Sequence, residues 1–217
     1  MFDYSVARNH MVESQIRTAD VTQPDLVRAF RTIPRERFVP RSCRALAYAD
    51  SHVDLGDGRH LLRPRDFAKM VQAADIRKSD IVLDIGCGRG YSTAVLAALA
   101  DTVVALETTS VMVERASQLL VDIQVSNAAV LKGDLKVGAP EHGPFDVIFI
   151  NGAVEVLPDG WMPQLAEKGR LATIVLDGRV GRACLFVRSG HIMGERVLFD
   201  ASMPVLSGCE RTVKFAL

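Results

Sequence analysis

The chain has few of the residues that bind metals or form disulfides. Its 217 residues include four cysteines and five histidines. The cysteines are scattered, without the paired spacing of a zinc site or a disulfide framework; they are Cys43, Cys87, Cys184 and Cys209. The histidines are equally dispersed. The sequence therefore predicts no metal site and reduced thiols in a cytoplasmic protein.

The chain also lacks an excess of charge and any long apolar run. Its 26 basic residues balance its 26 acidic ones, so no overall field attracts nucleic acid or an anionic membrane. No run approaches the roughly 18 consecutive apolar residues that a membrane span requires. The first residues lack the basic-then-apolar pattern of a signal peptide. We expect neither a nucleic-acid nor a membrane partner, and a cytoplasmic location.

The pattern of apolar residues changes near residue 75. Before that point it predicts helices over residues 4–17, from Pro24 to Phe30 and over 66–75, with a loop over 50–64. The sequence thus predicts two parts. Residues 1–75 form a helical cap with a substrate loop, and residues 76–217 form the cofactor-binding domain.

From residue 81 onward, short apolar segments alternate with helical ones. The predicted strands are 81–85, 102–106, 128–131, 146–150 and 170–176, and the predicted helices are 91–100 and 111–120. Such alternation is typical of a parallel sheet covered on both faces. Three closely spaced strand candidates follow, at 183–187, 195–199 and 213–215, and indicate an antiparallel edge. The predicted fold is α/β, with a doubly wound, mostly parallel Rossmann-like sheet.

A glycine-rich loop follows the first of these strands. Gly86, Gly88 and Gly90 bring bare backbone to the strand end, where ligands bind in such sheets. A dinucleotide fingerprint requires a third glycine where this chain has Tyr91. Asp84 would repel a pyrophosphate, but it suits the ammonium group of a bound amino acid. The loop therefore favours a nucleoside that carries methionine.

Two further acidic residues follow the next two strands. Glu107 can accept hydrogen bonds from both ribose hydroxyls, or it can merely cap the following helix. Asp134 can accept from an adenine amino group beside Leu135, or it can be a turn residue. The fourth strand ends near Asn151. The predicted cofactor-binding residues are Asp84, Gly86, Cys87, Gly88, Gly90, Tyr91, Glu107, Thr108, Gly133, Asp134, Leu135 and Asn151.

Several segments together resemble the protein-L-isoaspartate O-methyltransferase family. They are residues 11–16, 27–40, 47–50, 83–92, 144–146 and 164–171. The resemblance implies S-adenosyl-L-methionine as cofactor and methylation of the misplaced α-carboxyl of isomerised aspartyl residues. It also implies isoaspartyl peptides or proteins as substrates. We expect a monomer or a weak homodimer.

The chain departs from this family in one loop. Where the family reads Gly, then Gln-Thr-Ile-Ser, a variable residue and Pro, this chain has Arg59, His60, Leu61, Leu62 and Arg63 between Gly58 and Pro64. His60 and Leu62 thus replace two hydroxyls that, in the family the chain resembles, lie near the reacting methyl. We take His60, Leu62 and Arg63 as the candidate catalytic positions. Arg59, His60 and Arg63 either substitute as cationic donors or are solvated surface charges. The C-terminus, residues 213–217, also departs from the family.

This departure leaves three functions open. The leading hypothesis is an isoaspartyl carboxyl methyltransferase, whose carboxylate nucleophile needs no base because it is ionised at neutral pH. The second is a related methyltransferase with another acceptor, and the third is a module that binds S-adenosylmethionine without turnover. A nicotinamide-dependent oxidoreductase is disfavoured by Tyr91.

Overall fold

The computed structural model describes residues 3–211, which build a seven-stranded sheet, a two-stranded hairpin and five α-helices. The hairpin strands are β1 (Val53–Gly56) and β2 (Arg59–Leu61). The sheet strands are β3 (Ile81–Ile85), β4 (Thr102–Glu107), β5 (Ala128–Lys132), β6 (Phe145–Val154), β7 (Leu165–Asp177), β8 (Val180–Ser189) and β9 (Ile192–Asp200). The helices are α1 (Tyr4–Met11), α2 (Pro24–Thr32), α3 (Pro64–Ala74), α4 (Tyr91–Ala97) and α5 (Ser110–Asp122).

The order of the strands confirms the predicted fold class. The sheet runs β5-β4-β3-β6-β7-β8-β9. The first five strands in this order are parallel, and β8 and β9 form the antiparallel edge. The chain order reverses beside β3, and this reversal opens a crevice beyond the carboxyl ends of the strands. The third strand candidate at this edge, 213–215, lies outside the described residues.

The sheet is covered on both faces, by different kinds of structure. One face shares a hydrophobic core with the N-terminal helices, in which Phe30 and Phe67 pack with Val82 and Phe149 of the sheet. Loops and short 3-10 turns cover the other face, and they bury Trp161. The carboxyl ends of the strands lie between these two layers.

The structure corrects the loop predicted for residues 50–64, which contains the β1–β2 hairpin. Its turn is formed by Asp57 and Gly58, with φ angles of 56° and 70°. Type I′ hairpin turns require positive φ angles at both central residues and favour Asp-Gly there, and their twist matches that of paired strands. The hairpin places Asp54 opposite His60.

Two α-helices end at least three residues before the predicted position. α1 ends at Met11, but a π-helical turn and a 3-10 turn continue it to Ala19. The helix predicted over 91–100 ends at Ala97, and the Asn127 side chain donates to the carbonyl groups of Ala97, Ala100 and Asp101 at and beyond that end. A side-chain amide thus satisfies carbonyls at the helix end that have no partner within the helix.

Candidate functional site

Three acidic residues lie side by side at or near the carboxyl ends of neighbouring strands. Asp84 lies near the end of β3, Glu107 ends β4, and Asp134 lies two residues beyond β5. Because β3, β4 and β5 are adjacent and parallel, their carboxyl ends form one continuous rim. The structure therefore brings together the acidic row that the sequence predicts.

The glycine loop presents bare backbone on this rim. Gly86 and Gly88 have φ angles of 70° and 62°, which side chains rarely adopt. A Cβ atom at Gly88 would lie 3.0 Å from Leu55 Cδ1 of the hairpin, so the two segments are in close contact. The Gly88 N–H donates to Glu107 Oε1 at 2.7 Å, which links the loop to β4.

Asp84 is fully buried and bonded to the elements around it. Its Oδ2 accepts from Ser92 Oγ at 2.8 Å and from Thr93 Oγ1 at 2.6 Å. Its Oδ1 accepts from Asn151 Nδ2 at 2.6 Å. Burial raises the pKa of Asp84 to about 6, although these donors oppose the shift. Asp84 therefore connects the glycine loop to α4 and β6 at the centre of the crevice. The sequence did not single out Ser92 and Thr93.

Glu107 forms a buried ion pair that was not predicted from the sequence. Arg59 Nε donates to Oε1 at 2.9 Å, and Arg59 Nη2 donates to Oε2 at 3.0 Å. The Thr108 N–H also donates to Oε2, at 3.0 Å. The Glu107 side chain is 0% exposed and that of Arg59 is 5% exposed. The sequence left open whether Arg59 is a cationic donor or a solvated surface charge. Because its side chain is buried and paired, the interpretation as a solvated surface charge is wrong for Arg59.

An open cavity of about 630 Å³ lies beside Asp134, the third acidic residue of the row. Its lining residues are Thr108, Lys132, Gly133, Asp134, Leu135, Lys136, Ser207 and Gly208. The Trp161 indole N–H donates to the Leu135 carbonyl at 2.7 Å and fixes this wall. The cavity has the position expected for an adenine, one strand away from Glu107.

Two predicted site residues turn their side chains toward the interior. The Tyr91 ring is buried against Phe38 and Phe67, and the Arg35 guanidinium lies 4.8 Å from its centroid. The Cys87 thiol is also buried, and burial raises its pKa well above the ordinary range. The structure therefore places the Tyr91 ring in the core beneath the glycine loop.

The three candidate catalytic positions have different surroundings. Leu62 is buried in the core, and its carbonyl accepts a hydrogen bond from Arg35 Nη2. Arg63 Nε donates to Asp66 Oδ2 at 2.5 Å, so this guanidinium is paired with the first turn of α3. His60 is half-buried on β2. Within residues 3–211, Arg63 is the only one of these three side chains with a hydrogen bond or ion pair, since the Leu62 side chain is apolar and the His60 imidazole makes neither.

Metal-type clusters, membrane-spanning helices and disulfides are absent from the part of the chain that the structure describes. Between residues 3 and 211, no three or more His, Cys, Asp or Glu side chains come together as a metal site would require. None of the helices in this range is long and apolar enough to span a membrane. All four cysteines are unpaired.

Comparison with protein families and sequences gives consistent matches. The model of the family described as protein-L-isoaspartate(D-aspartate) O-methyltransferase matches residues 6–196. A protein-L-isoaspartate O-methyltransferase from Opitutus terrae is 38% identical over 164 residues, which are 76% of this chain and 70% of that protein. Protein-L-isoaspartate O-methyltransferase 1 from Syntrophobacter fumaroxidans is 33% identical over 190 residues, which are 88% of each chain.

Solved structures show the same architecture. One protein-L-isoaspartate O-methyltransferase superposes with a TM-score of 0.82 at 26% identity, covering 93% of this chain and 66% of that one. A Plasmodium falciparum structure in complex with S-adenosyl-L-homocysteine has a TM-score of 0.78 at 16% identity, covering 95% and 99% of the two chains. At that identity, the second likeness concerns the fold alone.

Proposed function

Because the chain belongs to the protein-L-isoaspartate O-methyltransferase family, we propose that it methylates the misplaced α-carboxyl of isomerised aspartyl residues, with S-adenosylmethionine as methyl donor. One observation carries the proposal. Three carboxylates follow one another along the rim, around bare glycine backbone, in the order that the ammonium, ribose and adenine of this cofactor require.

The chemistry of these residues fits the cofactor. Glu107 would accept from the ribose hydroxyls, and charge-assisted bonds of this kind contribute about 1.5–3 kcal/mol each. Asp134 and Leu135 would hold adenine in the cavity they line. Asp84 would supply negative charge near the ammonium group, with Asn151 holding its orientation. When bound, S-adenosylmethionine supplies an electrophilic methyl on a sulfonium centre.

The protein's task in this reaction is to position the acceptor. An isoaspartyl carboxylate is ionised at neutral pH, so no base has to remove a proton from it. Orientation of two reactants can contribute about 7–11 kcal/mol to a rate enhancement. We propose that His60, on β2, and Arg63, two residues after its end, attract the acceptor carboxylate, since both carry the donors that Leu62 lacks.

A matched pair of peptides tests the proposed acceptor. The protein is incubated with methyl-labelled S-adenosylmethionine and either an isoaspartyl peptide or its normal aspartyl twin. We expect base-labile label on the isoaspartyl peptide alone, because a carboxyl methyl ester hydrolyses in base. Absence of label from both peptides, with S-adenosylhomocysteine still bound, would contradict the proposed acceptor.

The surroundings of Leu62 favour two alternatives that keep the same cofactor. This side chain is buried and has no hydroxyl for a substrate carboxylate. The same cofactor site would then serve a different acceptor or bind S-adenosylmethionine without turnover. Label on a non-carboxyl group, stable to base, would identify another acceptor.

Cofactor binding should depend on pH through Asp84. The pKa of this carboxyl is about 6 in the free protein because burial disfavours its charged form. An ammonium group favours the ionised form, so binding below pH 6 requires loss of a proton. We expect the affinity for S-adenosylhomocysteine to be flat above about pH 7 and to fall up to tenfold per pH unit below 6.

A ligand without the ammonium group provides the control for this prediction. 5′-Methylthioadenosine keeps the adenosine but lacks the amino acid, so its affinity should not fall between pH 7 and pH 5. Calorimetric titration of both ligands measures the difference. The role of Asp84 would be wrong if the two ligands showed parallel pH profiles.

The compartment, the assembly state and the absence of a nucleic-acid partner remain proposals. The cytoplasm is the proposed compartment, since free cysteines are typical of reducing compartments. The proposed assembly is a monomer or weak homodimer. No nucleic-acid partner is proposed, because the balanced charge gives no overall field that attracts nucleic acid.

A further inference from the structure

The Glu107 carboxylate has no free acceptor site in this structure. Oε1 accepts from Arg59 Nε and the Gly88 N–H, and Oε2 accepts from Arg59 Nη2 and the Thr108 N–H. A carboxylate has about four lone-pair sites, two on each oxygen. All four are therefore used within the chain. A ribose hydroxyl can bond to Glu107 only after one of these donors has left.

Arg59 is the donor that can leave. The Gly88 and Thr108 donors are backbone groups fixed by the glycine loop and by the end of β4. Arg59 is a flexible side chain on the hairpin. Its Nε also lies 3.7 Å from where a Cβ of Gly86 would be, so it lies over the bare backbone as well as on the carboxylate. It thus fills part of the volume that a bound nucleoside requires.

Other contacts also hold the hairpin over the glycine loop. Arg89 Nη2 donates to the Leu55 carbonyl at 3.3 Å. Arg115 Nη1 of α5 donates to Asp57 Oδ2 at the hairpin turn at 2.9 Å. The Arg115–Asp57 pair is exposed, with side chains 34% and 52% accessible, and it touches no predicted cofactor group. Removal of the Arg115–Asp57 pair would loosen the hairpin and leave the Arg59–Glu107 pair in place.

We propose that Arg59 determines how tightly this protein binds its cofactor, by competing with the ribose hydroxyls for Glu107. The inference rests on the proposed function, because it takes Glu107 as the ribose acceptor. Apparent affinity equals intrinsic affinity multiplied by the fraction of molecules in which Arg59 has withdrawn. Arg59 and Glu107 are buried and joined by two hydrogen bonds, so that fraction is small.

Removal of the competing cation tests the proposal. Arg59→Gln keeps a polar side chain, the one that the family loop carries here, but lacks the charge. We expect its dissociation constant for S-adenosylhomocysteine, measured by calorimetry, to fall at least about tenfold below that of the unaltered protein. Arg59→Lys, which keeps the charge but not the two-bonded geometry, should tighten binding by a smaller factor. The Lys variant also preserves the test if the Gln variant is too unstable to titrate.

Arg115→Gln is the matched control. It removes an arginine that anchors the same hairpin, and we expect its dissociation constant to stay within about twofold of the unaltered protein. Equal tightening by Arg115→Gln and Arg59→Gln would overturn the proposal, because general loosening of the hairpin would then suffice.

Two other outcomes separate this inference from the proposed function. If the unaltered protein and Arg59→Gln bind S-adenosylhomocysteine equally well, the competition is wrong and the cofactor site stands. If neither protein binds it, the competition fails together with the proposed function.

Discussion

Replacing Glu107 with Gln is expected to weaken the binding of S-adenosylhomocysteine about a hundredfold. The carboxylate is fully buried, and it is the acceptor proposed for both ribose hydroxyls. Charge-assisted hydrogen bonds contribute about 1.5–3 kcal/mol each, and tenfold in affinity corresponds to about 1.4 kcal/mol. The loss should be larger in the Arg59→Gln background, where no competing cation reduces the starting affinity. Calorimetric titration of the unaltered protein, the two single variants and the double variant measures both losses.

The same substitution should destabilise the fold. Glu107→Gln leaves the Arg59 guanidinium buried without its counter-charge. Loss of one partner of a buried pair costs about 3–5 kcal/mol in the free energy of unfolding. Urea denaturation should show this loss, and the double variant Arg59→Gln/Glu107→Gln should recover part of the stability but none of the affinity. Recovery of both would contradict the assignment of Glu107 to the ribose.

Replacing Arg35 with Met is expected to lower the free energy of unfolding by about 2–4 kcal/mol. Arg35 is fully buried, and its Nε donates to the Ala47 carbonyl at 2.7 Å while Nη2 donates to the Leu62 carbonyl. Each carbonyl left without a partner costs about 1–3 kcal/mol. Methionine carries no charge that has to be buried, and this offsets part of the loss in stability. In the unaltered protein, burial of the charge lowers the pKa of Arg35.

This substitution also removes a contact to residues 58–64, the proposed acceptor loop. Arg35 lies between the Tyr91 ring and the Leu62 carbonyl, so it connects the glycine loop to the proposed acceptor loop. Arg37→Met is the control, because Arg37 lies two residues away in an exposed pair with Asp122 and should change stability by less than about 1 kcal/mol. Urea denaturation compares the two variants. Equal losses would show that the buried contacts of Arg35 contribute little.

The sequence allowed prediction of the acidic row because its information is local. Each of Asp84, Glu107 and Asp134 follows a short apolar run, and parallel strands bring their carboxyl ends to one rim. Neighbouring residues along the chain therefore sufficed to place the row. The antiparallel edge followed in the same way, from the close spacing of the last strands.

The contacts within the site could not be predicted in this way. Arg59 and Glu107 are 48 residues apart, and only the packing of the hairpin on the glycine loop brings them together. One signal was available: Asp57-Gly58 is a strong hairpin turn, and it places the next residue beside the crevice. The orientation of the Tyr91 ring was also inaccessible, because a residue at the start of a helix can face either the ligand or the core.

A crystal structure with S-adenosyl-L-homocysteine bound tests the central claim most directly. The quantity to measure is the distance from the Glu107 carboxylate oxygens to the two ribose hydroxyls. We predict hydrogen bonds of about 2.5–3.0 Å, with Arg59 withdrawn from the carboxylate and adenine in the cavity beside Leu135. A nucleoside bound elsewhere, with the Arg59–Glu107 pair intact, would contradict the account.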